Sequence, residues 1–91
     1  MRVLSDLGYV PVPVIASFNT SGKILPIWFR YEDCTYNVMV LSQRDEFVFK
    51  YFECEITKTS DESNKEYMIG KRIELIFNKR DCFWGLSKSK G

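Results

Sequence analysis

Apolar and polar residues alternate along most of this chain, and no other feature restricts its fold as tightly. Val10, Val12, Val14, Ala16 and Phe18 share one parity, as do Leu25, Ile27, Phe29 and Tyr31. Cys34, Tyr36, Val38 and Val40 repeat the pattern, and Ile73, Leu75 and Phe77 repeat it again. A period of two puts such residues on one face of a pleated strand. No window of ten or more residues shows a 3.6-residue period with helix caps. The expected fold is all-β: one small antiparallel meander of about six strands, curling into a small closed or open barrel, with little or no helix.

Ninety-one residues form a single domain over 1–91, large enough to bury a core without staples. Fourteen aromatic residues (seven Phe, five Tyr, two Trp) suit a strand-built core. The formal net charge of +1 favours no partner class. Its distribution is uneven. Residues 1–69 hold seven Lys/Arg against ten Asp/Glu, and residues 70–91 hold six against two. Such asymmetry marks either an anionic partner or a solvated face balanced by nearby acids.

The turns and breakers divide the chain. Residues 1–8 read as a lead-in ending at Gly8, and 9–18 as the first strand. Pro11 and Pro13 lack N–H on the same side of that strand, so it must lie at an edge and pair mainly through its other side. Asn19-Thr20-Ser21-Gly22 is a turn, 23–31 the second strand, Glu32-Asp33 a tight turn and 34–42 the third strand. Gln43 to Glu46 read as a polar turn. In 47–57, the fourth strand, parity shifts from Phe47, Phe49 and Tyr51 to Phe52, Cys54 and Ile56, which predicts a bulge near Lys50–Tyr51. The polar run 57–66 reads as a mobile loop, 67–77 as a strand bent at Gly70, 78–81 as a hairpin turn and 82–86 as the last strand. Residues 87–91 read as a frayed tail.

Several chemistries lack their residues. The sequence contains no His and no CxxC, and Cys34, Cys54 and Cys82 are widely spaced. Structural zinc takes four Cys or His ligands, so no metal is expected. A catalytic Cys needs a base such as His, so Cys82 beside Arg80 and Asp81 reads as structural. Glu53 and Glu55 share a strand face and could act as an acid/base pair, but a solvated outer face explains them more simply. The five glycines are scattered and form no phosphate cradle. The chain is expected to be no enzyme and to use no cofactor. An odd cysteine count in apolar patterns points to a reducing cytoplasm. Asp6 and two prolines interrupt the N-terminal apolar run, arguing against a secretory signal, and no apolar stretch approaches 18 residues, so no membrane partner is expected.

Two candidate binding features remain. If Leu25, Ile27, Phe29 and Tyr31 face the core, Trp28 and Arg30 share the outer face, where an indole beside a guanidinium can stack a base or anchor a peptide. Lys71, Arg72, Lys79 and Arg80, with Lys88 and Lys90 on the tail, form a basic group able to touch phosphates. The reading is a binding module that contacts a peptide or nucleic acid through Trp28, Arg30, Lys71, Arg72, Lys79 and Arg80. The alternative is a structural homo-oligomer whose exposed aromatic surface is the self-interface. Separately, three prolines blunt the early strands, and another sheet edge could accept a partner strand, as a homodimer or by β-augmentation. A small carboxylate- or Cys-dependent enzyme is a distant third.

The stretch LPIWFRYEDCTYNVMVL at 25–41, ECEI at 53–56 and CFWGL at 82–86 also carry a resemblance. An aromatic strand ending in Phe29-Arg30-Tyr31-Glu32, then Tyr36 and Val38, then Trp84 and Leu86, is similar to small uncharacterised β-rich proteins of Gram-positive bacteria and their mobile elements. SH3-like barrels show similar spacing. Asp33 and Cys34 stand where a turn glycine is expected. The resemblance implies a cytoplasmic bacterial protein and supplies no activity.

Overall fold

The structure, a computed structural model, describes residues 8–87. Seven strands form one antiparallel sheet: β1 (Tyr9–Pro11), β2 (Val14–Phe18), β3 (Ile24–Tyr31), β4 (Cys34–Glu46), β5 (Phe49–Thr59), β6 (Arg72–Asn78) and β7 (Phe83–Ser87). The spatial order is β1-β7-β6-β5-β4-β3-β2, and the sheet curls into a half-barrel. The all-β meander expected from alternation is present. The lead-in over 1–7 and the tail over 88–91, with Lys88 and Lys90, lie outside the described residues.

The two edge strands are consecutive in sequence. Tyr9 to Pro11 pair with β7, and Val14 to Phe18 pair with β3 at the opposite edge. The first strand is thus an edge strand, as its prolines require, but it changes sides. Val12 N–H donates to the Trp84 carbonyl at 3.2 Å, and the Pro13 carbonyl accepts from Arg30 N–H at 3.1 Å. Backbone groups of successive strand residues point to opposite sides. Even-numbered residues therefore serve β7 before the crossing, and odd-numbered ones serve β3 after it. Pro11 falls on the side turned away from β7, so its missing N–H costs no ladder bond, whereas Pro13 joins the β3 ladder through its carbonyl alone.

The core lies on the concave face. Val12, Ile24, Phe29, Tyr36, Phe52, Cys54, Ile56, Ile73, Leu75 and Leu86 form one buried cluster, with Val10, Val14, Val38 and Phe77 packed against it. Strand β5 sits mid-sheet, and its Phe52, Cys54 and Ile56 are fully buried. The bulge expected near Lys50–Tyr51 is absent, because Phe49 to Glu55 pair with β6 without a slip. Bulges instead leave Leu41 of β4 and Thr57 of β5 unopposed. Phe49 and Tyr51 keep their parity and pack on the outer face, where their rings lie 6.4 Å apart. The expected turn at 43–46 is part of β4. The chain reverses at Phe47, which has a φ of 56° and is fully exposed.

Residues 57–66 are not the expected loop. Strand β5 continues to Thr59, and a 3-10 turn (Glu62–Asn64) leads into the short helix α1 (Lys65–Met68). The Asp61 carboxylate accepts from Ser63 N–H at 2.9 Å and caps the turn. Asn64 is buried; its amide donates to Tyr36 Oη at 3.1 Å and accepts from Thr59 Oγ1 at 3.0 Å. Strand β6 then begins only at Arg72, after Gly70 turns the chain at a φ of 88°.

Candidate functional site

A bulge in β3 fixes what its outer face presents. Ile15 opposes Trp28 and Ala16 opposes Pro26, so Ile27 has no partner. Inward parity therefore changes along the strand. Ile24, Pro26 and Phe29 are buried, whereas Leu25, Ile27 and Tyr31 are exposed. The expected core set of Leu25, Ile27, Phe29 and Tyr31 is corrected at Leu25 and Ile27, because one extra residue exchanges the faces of the strand before Trp28. Tyr31 keeps the face of Phe29 and lines a cavity with it, but is exposed at the strand's end. Pro26 sits where β3 has not yet met β4, so its missing donor costs no ladder bond.

Trp28 is half-buried and opposes Ile15 on one side and Asn37 on the other. Arg30 lies two residues on, with Nη2 3.8 Å from Asp33 Oδ1. That pair is exposed and contributes little to stability. Asp33 and Glu32 both have positive φ, so this two-residue hairpin turn forms without glycine. Strand β3 pairs with β4 only from Trp28 to Tyr31. Beyond that point Ile24–Ile27 do not pair with β4, and Leu25 and Ile27 of β3 and Met39 and Leu41 of β4 are exposed, as is Ile15 of β2.

The basic residues are not gathered around Trp28. Strand β6 is separated from β3 by β5 and β4, three steps of about 4.8 Å each. Lys71 and Arg72 start β6, whereas Lys79 and Arg80 follow its other end, a rise of about 23 Å along the strand. Lys79 Nζ and Lys50 Nζ each lie 3.0 Å from the Asp45 carboxylate, and these hydrogen bonds hold Asp45 below the usual carboxylate range. Arg80 Nε lies 3.7 Å from Asp81.

Two further features have no signature in the sequence. On the outer face, Tyr9 Oη donates to Glu74 Oε1 at 2.6 Å, and Arg44 lies 3.5 Å from Glu74 with its guanidinium 4.1 Å above the Tyr51 ring. Burial, then the bond to Glu74, raises the Tyr9 hydroxyl far above its ordinary pKa. Glu53 opposes Glu74 and accepts from Ser42 Oγ at 3.2 Å. The like charges are offset by Arg44 and Tyr9, so this cluster mainly orders the sheet. At the open end of the half-barrel, a cavity of about 360 Å³ reaches Phe29 and Ile56, with Lys71 at its lining. Its walls are core residues, so alternation alone reads them as solid packing.

The thiols differ in setting. Cys54 is fully buried, and burial pushes its thiol up to about 12. Cys34 is half-buried, 3.7 Å from Asp61. Cys82 is exposed in the turn before β7, not within a strand. Among the described residues no group of three or more Cys, Asp or Glu is placed to hold a metal ion, and no helix is long and apolar enough to cross a membrane.

Compared with known proteins, the chain matches no family model, no curated protein and no solved structure.

Proposed function

We propose that the chain is a non-enzymatic interaction module that takes an extended, apolar peptide segment of a protein partner across the outer face of β2, β3 and β4, with Trp28 as anchor. The observation that carries this reading is the exposed apolar group around the indole. Ile15, Leu25 and Ile27 are 48%, 40% and 42% exposed, on the stretch where β2 pairs with β3 beside Trp28, and Met39 of β4, two residues past the Asn37 that opposes Trp28, is 50% exposed. Grouped apolar exposure of this kind marks contact surfaces, whereas single exposed residues do not. A half-buried Trp offers large contact area at small entropic cost. Nucleic-acid sites set cations beside their stacking aromatics. Only Arg30 of the candidate cations accompanies Trp28, which favours the peptide.

A displayed library of random peptides panned against the protein tests this. Selected peptides should be apolar, and Trp28→Ala should weaken them about tenfold or more while leaving the fold cooperative. In a parallel titration, single-stranded oligothymidylate at low salt should leave Trp fluorescence unchanged. Peptides bound equally by Trp28→Ala, or salt-sensitive binding of the oligonucleotide in their place, would contradict the reading.

A further inference from the structure

We infer that the cavity at the open end of the half-barrel binds a medium-chain aliphatic carboxylate, with the chain against the concave face and the head group at Lys71. This goes beyond the interaction reading above, which uses the opposite face of the sheet.

The cavity is part of the core, and its mouth is built in advance. Phe29, Tyr36, Ile56 and Ile73, from four successive strands, line it and are buried. Tyr31 and Lys71 are its exposed lining residues and mark the mouth. The segment that carries Lys71 is tied to the middle strand. Gly70 N–H donates to the Ile56 carbonyl at 2.7 Å, and Ile56 N–H donates to the Lys71 carbonyl at 2.9 Å. Lys71 N–H donates to the Met68 carbonyl at 3.1 Å, and Met68 of α1 also lines the cavity. A ligand entering here orders little backbone, so little of its binding energy is lost to that cost.

Size and charge select the occupant. The volume of about 360 Å³ lies in the range of small-molecule sites. A methylene takes about the space of one water molecule in the liquid, about 30 Å³, so the cavity fits one chain of about ten carbons and not a peptide strand with its side chains. Lys71 is the one charged residue among the described lining residues, and no Asp or Glu joins it. Its ammonium makes no ion pair with another described residue. A single cation at the rim of apolar walls complements one negative charge on an apolar tail. A cationic head would be repelled, and a neutral ligand would leave the ammonium unused. Tyr31 adds a hydroxyl donor at the same mouth.

Methyl-resolved NMR during titration with hexanoate, octanoate and decanoate is the test. Methyl signals of Ile56 and Ile73 should move, and those of Ile15, Leu25 and Ile27 on the outer face should not. Affinity should rise about three- to fourfold for each added CH₂. Lys71→Met, which keeps an aliphatic stem at an exposed position, should weaken decanoate about fivefold and leave decanol unchanged. No movement of Ile56 and Ile73 up to millimolar decanoate, affinity independent of chain length, or decanoate bound equally by wild type and Lys71→Met would overturn the inference. Trp28→Ala should bind decanoate as wild type does, so the failure of either site leaves the other standing.

Discussion

Phe52→Ala should remove about 3–5 kcal/mol of folding stability, the range for truncating a buried aromatic that leaves a cavity. Phe52 is fully buried on the middle strand of the sheet, with its ring centroid 5.6 Å from that of Trp84. Strand β5 is paired on both sides, so its backbone cannot shift to fill the space. Domains of this size have about 5–15 kcal/mol in total, and each kcal/mol is worth about 4–8 °C in melting temperature. A fall of about 20 °C in a thermal melt is therefore expected. Phe47 is the control. It is fully exposed at a φ of 56°, a conformation that glycine adopts without strain, so Phe47→Gly should be neutral or slightly stabilising. Equal losses from the two substitutions would place the core on the wrong parity of β5.

Val12→Asp should be nearly as damaging, at about 3 kcal/mol or more, because it sets an unpaired carboxylate inside the cluster. Val12 is 7% exposed and belongs to the core although it lies between two strands. It is also the residue whose N–H holds the crossing segment to Trp84. Urea unfolding measures the loss. Val14→Thr, a smaller change at a half-buried position beyond the crossing, should cost far less. If Val12→Asp melts like wild type, the segment between β1 and β2 is a surface connection and does not seal the half-barrel.

The contrast between Val12 and the rest of its strand shows what the sequence makes legible. Turn chemistry is local and was readable. Asn19 Oδ1 accepts from Ser21 and Lys23 N–H, and Asn78 Oδ1 accepts from Arg80 and Asp81 N–H, at the expected reversals. Inward parity was readable where no bulge intervenes, as for Ile73 and Leu75. The change of sides at Val12–Pro13 was not. Exchanging one neighbouring strand for another alters where the backbone points but leaves each side chain on its face, so alternation runs through the crossing unbroken. The Ile27 bulge was hidden for a related reason. It moves Leu25 to the outer face with no breaker at the bulge itself. The helical turn after Thr59 is too short to show a period.

The candidate site was legible only in part. That Trp28 and Arg30 share a face follows from their spacing, and both lie on the outer side of β3. The separation of Lys71 and Arg72 from Lys79 and Arg80 follows once β6 is a strand. Their distance from Trp28 depends on the order of strands across the sheet, which pairwise alternation does not encode. The apolar neighbours of Trp28 were assigned inward because the bulge was unseen. The aromatic–basic surface expected from sequence is therefore read here as an aromatic–apolar one.

Amide hydrogen exchange on the wild-type protein tests most directly whether one N-terminal segment edges the sheet on both sides. Protection should sit on Val10 and Val12 before the crossing and move to Ile15 and Ser17 after it, with Val14, Ala16 and Phe18 exchanging fast. Slow exchange confined to one parity along the whole of 9–18 would mean a single neighbour throughout and would contradict the crossing.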